Sequence, residues 1–397
     1  MKVLIAGGGI GGLTAALCCR HFGHKVVIFE QAAQLGEVGA GIQIPPNAMK
    51  VFEALGISAI ISKRAFRPEA IETRMGESGT PIFTIPLTET AEKRWGAPYL
   101  HIHRADYIAA LTEALNKAAP LALQLAAPVA GYEQTEDGVT AVLEGGREVS
   151  GDILIGADGI NSAVRTQMLG DDKPVFTGNM AWRAVVPTSA LREHKPNPTA
   201  CAWMGRGRHG VTYYLRGGEL VNFVGVVERE DWTDEGWSIQ GNPEEALRDF
   251  ENWHPTITAI LQTAAPAQIF KWALFDRAPL ERWVAGRAAL LGDAAHPMLP
   301  FLAQGAAMAV EDAWVLAQEI SNSERPVSQS LSAYQDKRLT RCSKVQAASR
   351  ANMKTFHQRS TFGQLKTYGP MWLAGKLAPA AVRRRMDWIY GMDVTRA

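Results

Sequence analysis

The first thirty residues alternate apolar and polar segments in a pattern typical of a β-α-β unit. A short apolar run at residues 3–6 precedes a glycine cluster, residues 13–19 form an apolar stretch, and a second apolar run follows at 25–29. Short buried runs separated by a helical stretch predict parallel strands joined by a crossover helix. The chain therefore begins as an α/β protein.

Two later apolar runs predict that distant parts of the chain complete the same sheet. Residues 152–157 and 290–291 are both typical of buried strands. Between them, about 175–275, the chain is rich in Val, Tyr, Trp and Phe and carries a hairpin signal at Arg216-Gly217-Gly218-Glu219. Helical spacing returns at 305–320 and after 331. We expect a β-rich insertion that covers the substrate, because ligand sites favour domain interfaces.

Composition narrows the class of protein. The chain has 397 residues and a net charge of +1, which gives no reason to expect nucleic acid or an anionic membrane as a partner. Its four cysteines show neither a disulfide framework nor zinc-ligand spacing. No stretch is long enough to span a bilayer, so we expect a cytoplasmic protein.

The glycine cluster has the spacing of a dinucleotide-binding turn. Gly7, Gly9 and Gly12 lie between the first strand and the first helix. Glycines there permit a tight turn, close approach of the backbone to a pyrophosphate, and close helix–strand packing. Glu30 ends the second strand, where a carboxylate accepts a hydrogen bond from a ribose hydroxyl. The order of strand, glycines, helix, strand and acid predicts a nucleotide cofactor.

Two further segments resemble signatures of the single-component, group A flavin-dependent aromatic hydroxylases. Residues 151–165 contain Gly-Ala-Asp-Gly-Ile-Asn-Ser, similar to the Asp-Gly fingerprint of that family, and residues 286–300 contain Leu-Leu-Gly-Asp-Ala-Ala-His-Pro, similar to its second flavin signature. With the opening glycines, three fingerprints occur in the family's order over residues 1 to about 320. The stretch 303–313 resembles the salicylate hydroxylase, 3-hydroxybenzoate 6-hydroxylase and 6-hydroxynicotinate 3-monooxygenase branches.

The resemblance implies a particular α/β architecture. It consists of a Rossmann-like three-layer domain that binds FAD, an inserted β-sheet substrate domain, and a C-terminal helical segment. We predict that the FAD-binding domain comprises residues 1–72, 97–174 and 278–330. The substrate domain then comprises 73–96 and 175–277, and the helical segment comprises 331–397.

The resemblance also assigns cofactor contacts. It implies that Asp293 binds the ribityl chain of FAD, that Arg104 contacts the cofactor, and that the helix beginning at Gly305 favours negative charge on the reduced flavin. Asp158 supports the fold near the cofactor, and docking of the transient co-substrate, NADH or NADPH, is a second role for it. The predicted cofactor-binding set is Gly7, Gly9, Gly12, Glu30, Gly41, Arg104, Asp158, Asp293, Gly305 and Ala306. A capping aspartate and a surface arginine are the competing interpretations of Asp293 and Arg104.

The implied reaction is hydroxylation of an electron-rich ring. NAD(P)H reduces FAD, O2 adds to give a C4a-hydroperoxyflavin, and its distal oxygen passes to the substrate. A base helps because a phenolate is more nucleophilic than a phenol. We predict His209 as this base, since residues 206–218 resemble the substrate strand of these branches and imidazole titrates near neutrality. Tyr213 lies on the same strand face and is predicted to orient a ring substituent. For both His209 and Tyr213 the alternative interpretation is a side chain that only packs in the core. His296 is assigned a structural place in the cofactor loop.

The predicted substrate pocket draws on several segments. Arg183 fits either a holder for a substrate carboxylate or an inter-strand contact. Gln43 and Phe301 stand where the hydroxynicotinate branch tends to carry histidines, which argues against a pyridine substrate. The family uses a proline carbonyl near the substrate at the Pro297 to Pro300 segment. The predicted lining residues are Gln43, Arg183, Trp203, Pro297, Met298, Pro300 and Phe301.

These patterns predict an FAD-dependent monooxygenase that uses NAD(P)H and O2 to hydroxylate a small phenolic acid such as a hydroxybenzoate or salicylate. We expect a monomer or homodimer. Alternative functions are a reductase or halogenase on the same scaffold, or a non-catalytic FAD-binding interaction protein. Halogenases carry a Trp-x-Trp-x-Ile-Pro element, and Trp182-Arg-Ala-Val-Val-Pro187 lacks its second tryptophan and its isoleucine.

Overall fold

A computed structural model describes residues 1–36, 41–88, 90–171, 173–229 and 239–396. The sequence Gly36-Glu37-Val38-Gly39-Ala40-Gly41 predicts a flexible loop, and most of this segment lies outside the described residues. The predicted α/β fold with a helical C-terminal segment is confirmed.

The described chain contains strands from beginning to end, interleaved with helices. The strands are β1 (Lys2–Ala6), β2 (Lys25–Phe29), β3 (Gly41–Ile44), β4 (Ala70–Met75), β5 (Pro81–Pro86), β6 (Leu100–His103), β7 (Leu123–Gln124), β8 (Val129–Gln134), β9 (Val139–Leu143), β10 (Glu148–Gly151), β11 (Ile153–Gly156), β12 (Val175–Pro187), β13 (Ala200–Gly205), β14 (Arg208–Leu215), β15 (Leu220–Glu228), β16 (Ile239–Gln240), β17 (Ile269–Asp276), β18 (Val284–Ala285) and β19 (Ala288–Leu290). The α-helices are α1 (Ile10–His21), α2 (Pro46–Ala54), α3 (Ser58–Ser62), α4 (Arg104–Ala118), α5 (Ala163–Leu169), α6 (Pro243–Asp249), α7 (Pro255–Thr263), α8 (Gly305–Ile320), α9 (Val327–Phe356), α10 (Thr361–Leu377), α11 (Pro379–Arg384) and α12 (Asp387–Tyr390).

A six-stranded sheet gathers the nucleotide motifs from three distant parts of the chain. Its strand order is β18-β19-β11-β1-β2-β7, and the pairs β1–β2, β1–β11 and β11–β19 are parallel. The central strands are apolar and fully buried, as parallel strands covered on both faces are. Helices α1, α4 and α8 and the antiparallel sheet β10-β9-β8 share its core. The carboxyl ends of β1, β11 and β19 therefore meet at one edge, where ligands of such sheets bind.

An eight-stranded sheet forms the second half of the molecule. Its order is β16-β17-β12-β15-β14-β13-β4-β5, so residues 70–86 join the strands of 175–276. One face packs its apolar side chains against residues of α6 and α7. The opposite face contacts Leu299 and Phe301 from the loop before α8, together with Met353 and Phe356 of α9. The predicted domain boundaries stay a prediction, but this second face and the loop enclose the region between the two sheets.

Long helices complete the chain. Helix α9 has 30 residues and packs along α8. Helix α10 lies against β5 and leaves several apolar side chains exposed. Within the described ranges, no helix combines the length and the apolarity that crossing a bilayer requires.

Candidate active site

The three glycines after β1 differ in what a side chain would meet at each position. Gly7 has φ +102° and a methyl group there would overlap the carbonyl of Ala157. A methyl group at Gly12 would overlap the carbonyl of Gly7. At Gly9, the residue before α1, a Cβ would meet nothing within 4 Å. Gly7 and Gly12 are thus required by the fold, whereas Gly9 leaves open space at a helix N-terminus, the cradle that a pyrophosphate needs.

Glu30 is fixed beside this loop. Its Oε2 accepts a hydrogen bond from the Gly8 amide at 2.6 Å and its Oε1 accepts one from Ala32 at 2.8 Å. A carboxylate has about four acceptor positions, so these two bonds orient the side chain and leave capacity for a ribose hydroxyl. The geometry fits the predicted role of Glu30.

Asp293 lies where β19 ends and α8 begins. Its Oδ1 is 4.0 Å from the position of a Cβ on Gly305, at the first turn of α8. The side chain is exposed, yet neighbouring chain segments strip part of its hydration and raise its pKa, against the charges of His296 and Arg104. A carboxylate that is accessible and yet enclosed lines a cleft. Arg104, the first residue of α4, is close enough to act on that carboxylate.

These groups fit FAD. The open space at Gly9 and the carboxylate of Glu30 suit its adenosine diphosphate half. Asp293 suits the ribityl hydroxyls, and the unpaired amides of the first turn of α8, which includes Gly305 and Ala306, suit the flavin. All lie along the edge where the strand ends meet.

Two other predicted cofactor residues are held by local bonds. Asp158 accepts from the Ser162 hydroxyl at 2.5 Å and from the Val164 amide at 3.2 Å, and burial raises its pKa. Gly41 donates its amide to Asn222 and accepts from the Tyr213 hydroxyl at 2.7 Å. Both residues therefore have structural partners, and their contact with a cofactor stays a prediction.

A buried network of charges supports the cofactor loop. His296 Nε2 lies 2.5 Å from Asp312 of α8, which also accepts from Arg338 of α9 at 2.7 Å. Arg338 bonds the neighbouring Glu311 at 2.6 Å. Burial disfavours the charged imidazole, but the Cys342 and Asp312 side chains raise the pKa of His296 overall. His296 is thus part of an ion-pair network, which fits the structural place that was predicted for it.

Helix α9 also holds the loop that follows His296. Three polar side chains on α9, spaced three residues apart, donate to alternate carbonyls of the segment 297–301. The bonds are Gln346 to Pro297 (2.8 Å), Ser349 to Leu299 (2.6 Å) and Asn352 to Phe301 (3.1 Å). The Pro297 carbonyl therefore accepts from α9, and the use of a proline carbonyl of the 297–300 segment beside the substrate stays a prediction.

His209 lies in an aromatic shell on β14. Its ring centroid is 5.2 Å from that of Phe301 and 5.1 Å from that of Phe356, and the residue is 3% exposed. Its Nδ1 is 2.7 Å from Nε2 of His357, whereas no described residue bonds its Nε2. Burial, and then the neighbouring His357, lower its pKa well below 6.5. At neutral pH His209 is an uncharged imidazole with one nitrogen available to accept a proton.

Arg183 and Tyr213 share the sheet face of His209. His209 pairs with Val226 and Arg183 with Val224 on β15, two positions apart on the same face. The Arg183 guanidinium lies over the Phe270 and Trp272 rings and its charge reaches Tyr213. The Tyr213 hydroxyl already donates to Gly41, so its role is to tie the sheet to β3 as well as to face the site.

Trp203 corrects one sequence prediction. It pairs with Gly210 of β14, donates from its indole to Thr212 at 2.9 Å, and packs in the core beneath α6 and α7. Because neighbouring strand residues point to opposite faces, Trp203 lies on the side away from His209. This position does not fit a pocket residue. Phe301 and the half-buried Met298 do lie near the predicted site. Pro300 is exposed, and the Gln43 side chain accepts a hydrogen bond from the Tyr99 hydroxyl.

Sequence reasoning missed several residues that surround the site. His357 contacts His209 on the side toward solvent, and Glu228 contacts His357. Asn222 accepts a hydrogen bond from the Gly41 amide. Asn222 had a signal, because it is a polar residue inside the apolar run of β15. His357 and Arg338 had none, since α9 shows no strong apolar stripe that indicates which face is buried.

Comparisons with known proteins agree with this geometry. Residues 1–349 match the family model described as FAD binding domain. The chain is 36% identical over 396 residues to 3-amino-4-hydroxybenzoate 2-monooxygenase PtmB3 of Streptomyces platensis, covering 99% of this chain and 96% of that relative. It is 35% identical over 393 residues to 3-hydroxybenzoate 6-hydroxylase 1 of Aquipseudomonas alcaligenes, covering 99% and 98%.

A solved structure gives the same result. A salicylate hydroxylase substrate complex has a TM-score of 0.82 and 28% identity to this chain, and the match covers 100% of this chain and 96% of that one. The predicted cofactor FAD, with NAD(P)H as co-substrate, is confirmed. The chain belongs to the FAD binding domain family and is a flavin-dependent monooxygenase of the aromatic hydroxylase class.

Proposed function

We propose that this enzyme hydroxylates a small phenolic acid of the hydroxybenzoate or salicylate type. The observation that carries the proposal is that His209 and Arg183 share one face of the second sheet. The first offers an uncharged acceptor for a phenolic proton, and the second offers a cation for a carboxylate. Both relatives named above have a hydroxybenzoate as their named substrate, which supports the same class.

The spacing of the two residues suits one aromatic ring. They lie two strands apart and two positions out of register, so their Cα atoms are separated by about 12 Å. Each side chain spans part of that distance. The remaining gap corresponds to a benzoate ring whose hydroxyl meets His209 and whose carboxylate meets Arg183. The planar guanidinium suits a carboxylate because it donates two parallel hydrogen bonds.

The surrounding side chains provide an apolar wall. Leu299 and Phe301 pack opposite Val226 and Trp272 and exclude water from the sheet face. When bound, FAD supplies the redox chemistry by which NAD(P)H and O2 are consumed. The chain's own part is to hold the ring, keep the site dry and accept the phenolic proton at Nε2 of His209, which raises the electron density of the ring.

A substrate panel tests the proposal. Holoenzyme is mixed with 3-hydroxybenzoate, salicylate, 3-amino-4-hydroxybenzoate or uncharged phenol, and NADH and NADPH oxidation, O2 uptake and peroxide release are recorded. We expect coupled turnover with at least one acid and poor turnover with phenol. Arg183→Met should raise KM for the acid by about 10–100-fold and leave phenol nearly unchanged, since a hydrogen bond to a charged group contributes about 1.5–3 kcal/mol. Equal use of phenol and acids by both forms would contradict the carboxylate assignment.

We further propose a cytoplasmic location and a monomer or homodimer. All four cysteines are free and buried, which supports a reducing compartment. Phe362, Leu365 and Leu377 expose apolar surface on α10, which favours the homodimer of the two. Sedimentation at several protein concentrations measures the oligomeric state.

A further inference from the structure

A second histidine stands directly behind His209. His357 follows the last residue of α9, and its Nε2 is 2.7 Å from Nδ1 of His209. The two rings are 5.0 Å apart between centroids, and both residues are buried. This is a hydrogen bond between two imidazoles, in which one ring donates and the other accepts.

The chain of polar groups continues outward to Glu228. Nδ1 of His357 lies 3.3 Å from Oε1 of Glu228, at the end of β15, which is within ion-pair distance although the angle is not that of a hydrogen bond, so a small rotation of either side chain completes the contact. The Glu228 side chain is 25% exposed, pairs with Arg359, and lines a surface cavity of about 320 Å³. The other lining residues are Arg206, Gly207, Arg208, Val227, Asp249 and Arg359. The three side chains therefore connect the buried site to solvent.

The charged groups near the two histidines lie on the outer side, beside His357. Burial lowers the pKa of His357, while Glu228 opposes that shift and Arg359 adds to it. Phe301 and Phe356 also contact the rings and carry no charge. Glu228 is thus the acidic end of the series and His209 the apolar end.

We propose that His357 and Glu228 carry protons between His209 and solvent. This inference rests on the proposed function, in which His209 accepts a phenolic proton. With a proton on Nδ1, His209 donates to Nε2 of His357, whose own Nδ1 proton faces Glu228. As Nε2 of His209 takes the phenolic proton, its Nδ1 proton moves to Nε2 of His357 and the Nδ1 proton of His357 moves to the carboxylate, which releases it to water. One proton enters and one leaves.

The relay avoids a cost that an isolated base would face. A lone buried imidazole that accepts a proton becomes a cation away from water, which is strongly disfavoured. Transfer through His357 puts the proton on a group at the surface and returns both rings to neutrality. His357 and Glu228 are positioning and relay residues, whereas His209 alone meets the substrate.

The test uses holoenzyme and 4-nitrophenol, whose phenolate absorbs visible light. Stopped-flow absorbance follows ionisation of the bound phenol, and an indicator dye follows proton release. We expect His357→Ala to slow both signals by about tenfold or more, with FAD content and thermal midpoint near those of the unchanged enzyme. Added imidazole should restore the rate, because it occupies the space of the lost ring. Glu228→Gln should slow proton release more than binding.

Controls separate the relay from packing and from the proposed function. Arg206 lines the same cavity but is not part of the relay, so the Arg206→Gln enzyme should ionise the phenol at the rate of the unchanged enzyme. Wild-type rates in His357→Ala, slow rates that imidazole does not restore, or failure of the unchanged enzyme to ionise the phenol would each overturn the relay. If the unchanged enzyme ionises 4-nitrophenol with imidazole-dependent rescue in the variant, yet hydroxylates no phenolic acid, the relay stands and the proposed function fails.

Discussion

His209 and His296 are both buried beside the segment 297–301, but their surroundings favour the neutral form of His209 and the charged form of His296. His296 faces Asp312 at 2.5 Å inside a network that includes Arg338. His209 faces a second imidazole and aromatic rings. Burial acts on both in the same sense, and the partner decides the result. The comparison teaches that the side that fits the cofactor is built on fixed charge, whereas the side that we propose for the substrate is built on uncharged imidazole and aromatic rings.

The largest effect should separate two glycines of the cofactor side. Gly12→Ala should prevent folding, because its methyl group overlaps the Gly7 carbonyl. Gly9→Ala should fold normally, since nothing lies within 4 Å of its Cβ, but should weaken FAD binding by about tenfold or more, which is about 1.4 kcal/mol. Soluble yield, circular dichroism and flavin absorbance measure the difference. If the Gly9→Ala enzyme were fully flavinated, the pyrophosphate would not bind in the space beside Gly9.

The charge network of the cofactor side should be the next most sensitive part. Arg338→Ala removes the buried cation that bridges Glu311 and Asp312 and leaves them Arg341 and His296 as partners, so we expect a loss of about 3 kcal/mol in the free energy of unfolding. Arg396→Ala breaks an exposed pair with Asp393 and should cost less than about 1 kcal/mol. Urea unfolding compares the two variants. Similar costs would show that the network is not held by charge.

Substitution of Asp293 tests one predicted contact between the protein and FAD. Asp293→Ala should weaken FAD binding by about 10–100-fold, because hydrogen bonds to a charged group contribute about 1.5–3 kcal/mol. Asp293→Asn keeps one acceptor and should lie between the variant and the unchanged enzyme. Fluorescence titration of the apoprotein with FAD measures both. Affinity equal to that of the unchanged enzyme in Asp293→Ala would leave this carboxylate with a capping role.

The smallest effect should be a difference in pH dependence. The folded pKa of His296 is raised above 6.5, so its contribution to stability is fully present below 6.5 and is lost as pH rises through the folded value. The folded pKa of His209 is lowered, so the fold loses stability as pH falls below 6.5. His209→Phe should therefore reduce the loss between about pH 7 and about pH 5 by about 1–2 kcal/mol. His296→Phe should be most damaging at the acid end, and urea unfolding at several pH values measures both slopes.

The sequence predicted the cofactor side better than the substrate side. Gly7, Gly9, Gly12 and Asp293 lie in short segments where backbone geometry dictates residue type, so a local pattern carries the information. His209 was predicted through its strand, and its role stays a prediction. Trp203 was assigned to the wrong face, because a strand in a sheet covered on both faces lacks the alternation of apolar and polar residues that marks its sides.

Long-range partners were beyond sequence reasoning. His357 lies 148 residues after His209, and Glu228 reaches it from another strand. A buried polar residue on a long helix is recognised only when its partner is known, because hydrogen bonding rather than hydrophobicity puts it inside. The same holds for Gln346 and Ser349, whose targets are backbone carbonyls with no sequence signature.

The three hydrogen bonds between α9 and the segment 297–301 mean that a later helix fixes the shape of a loop beside the candidate active site. The family model stops at residue 349, so the last of the three donors, Asn352, lies beyond it. Synthesis must therefore pass the end of α9 before the segment 297–301 acquires its final shape. A nascent chain released before α9 would carry every fingerprint of the family and still lack a braced active site.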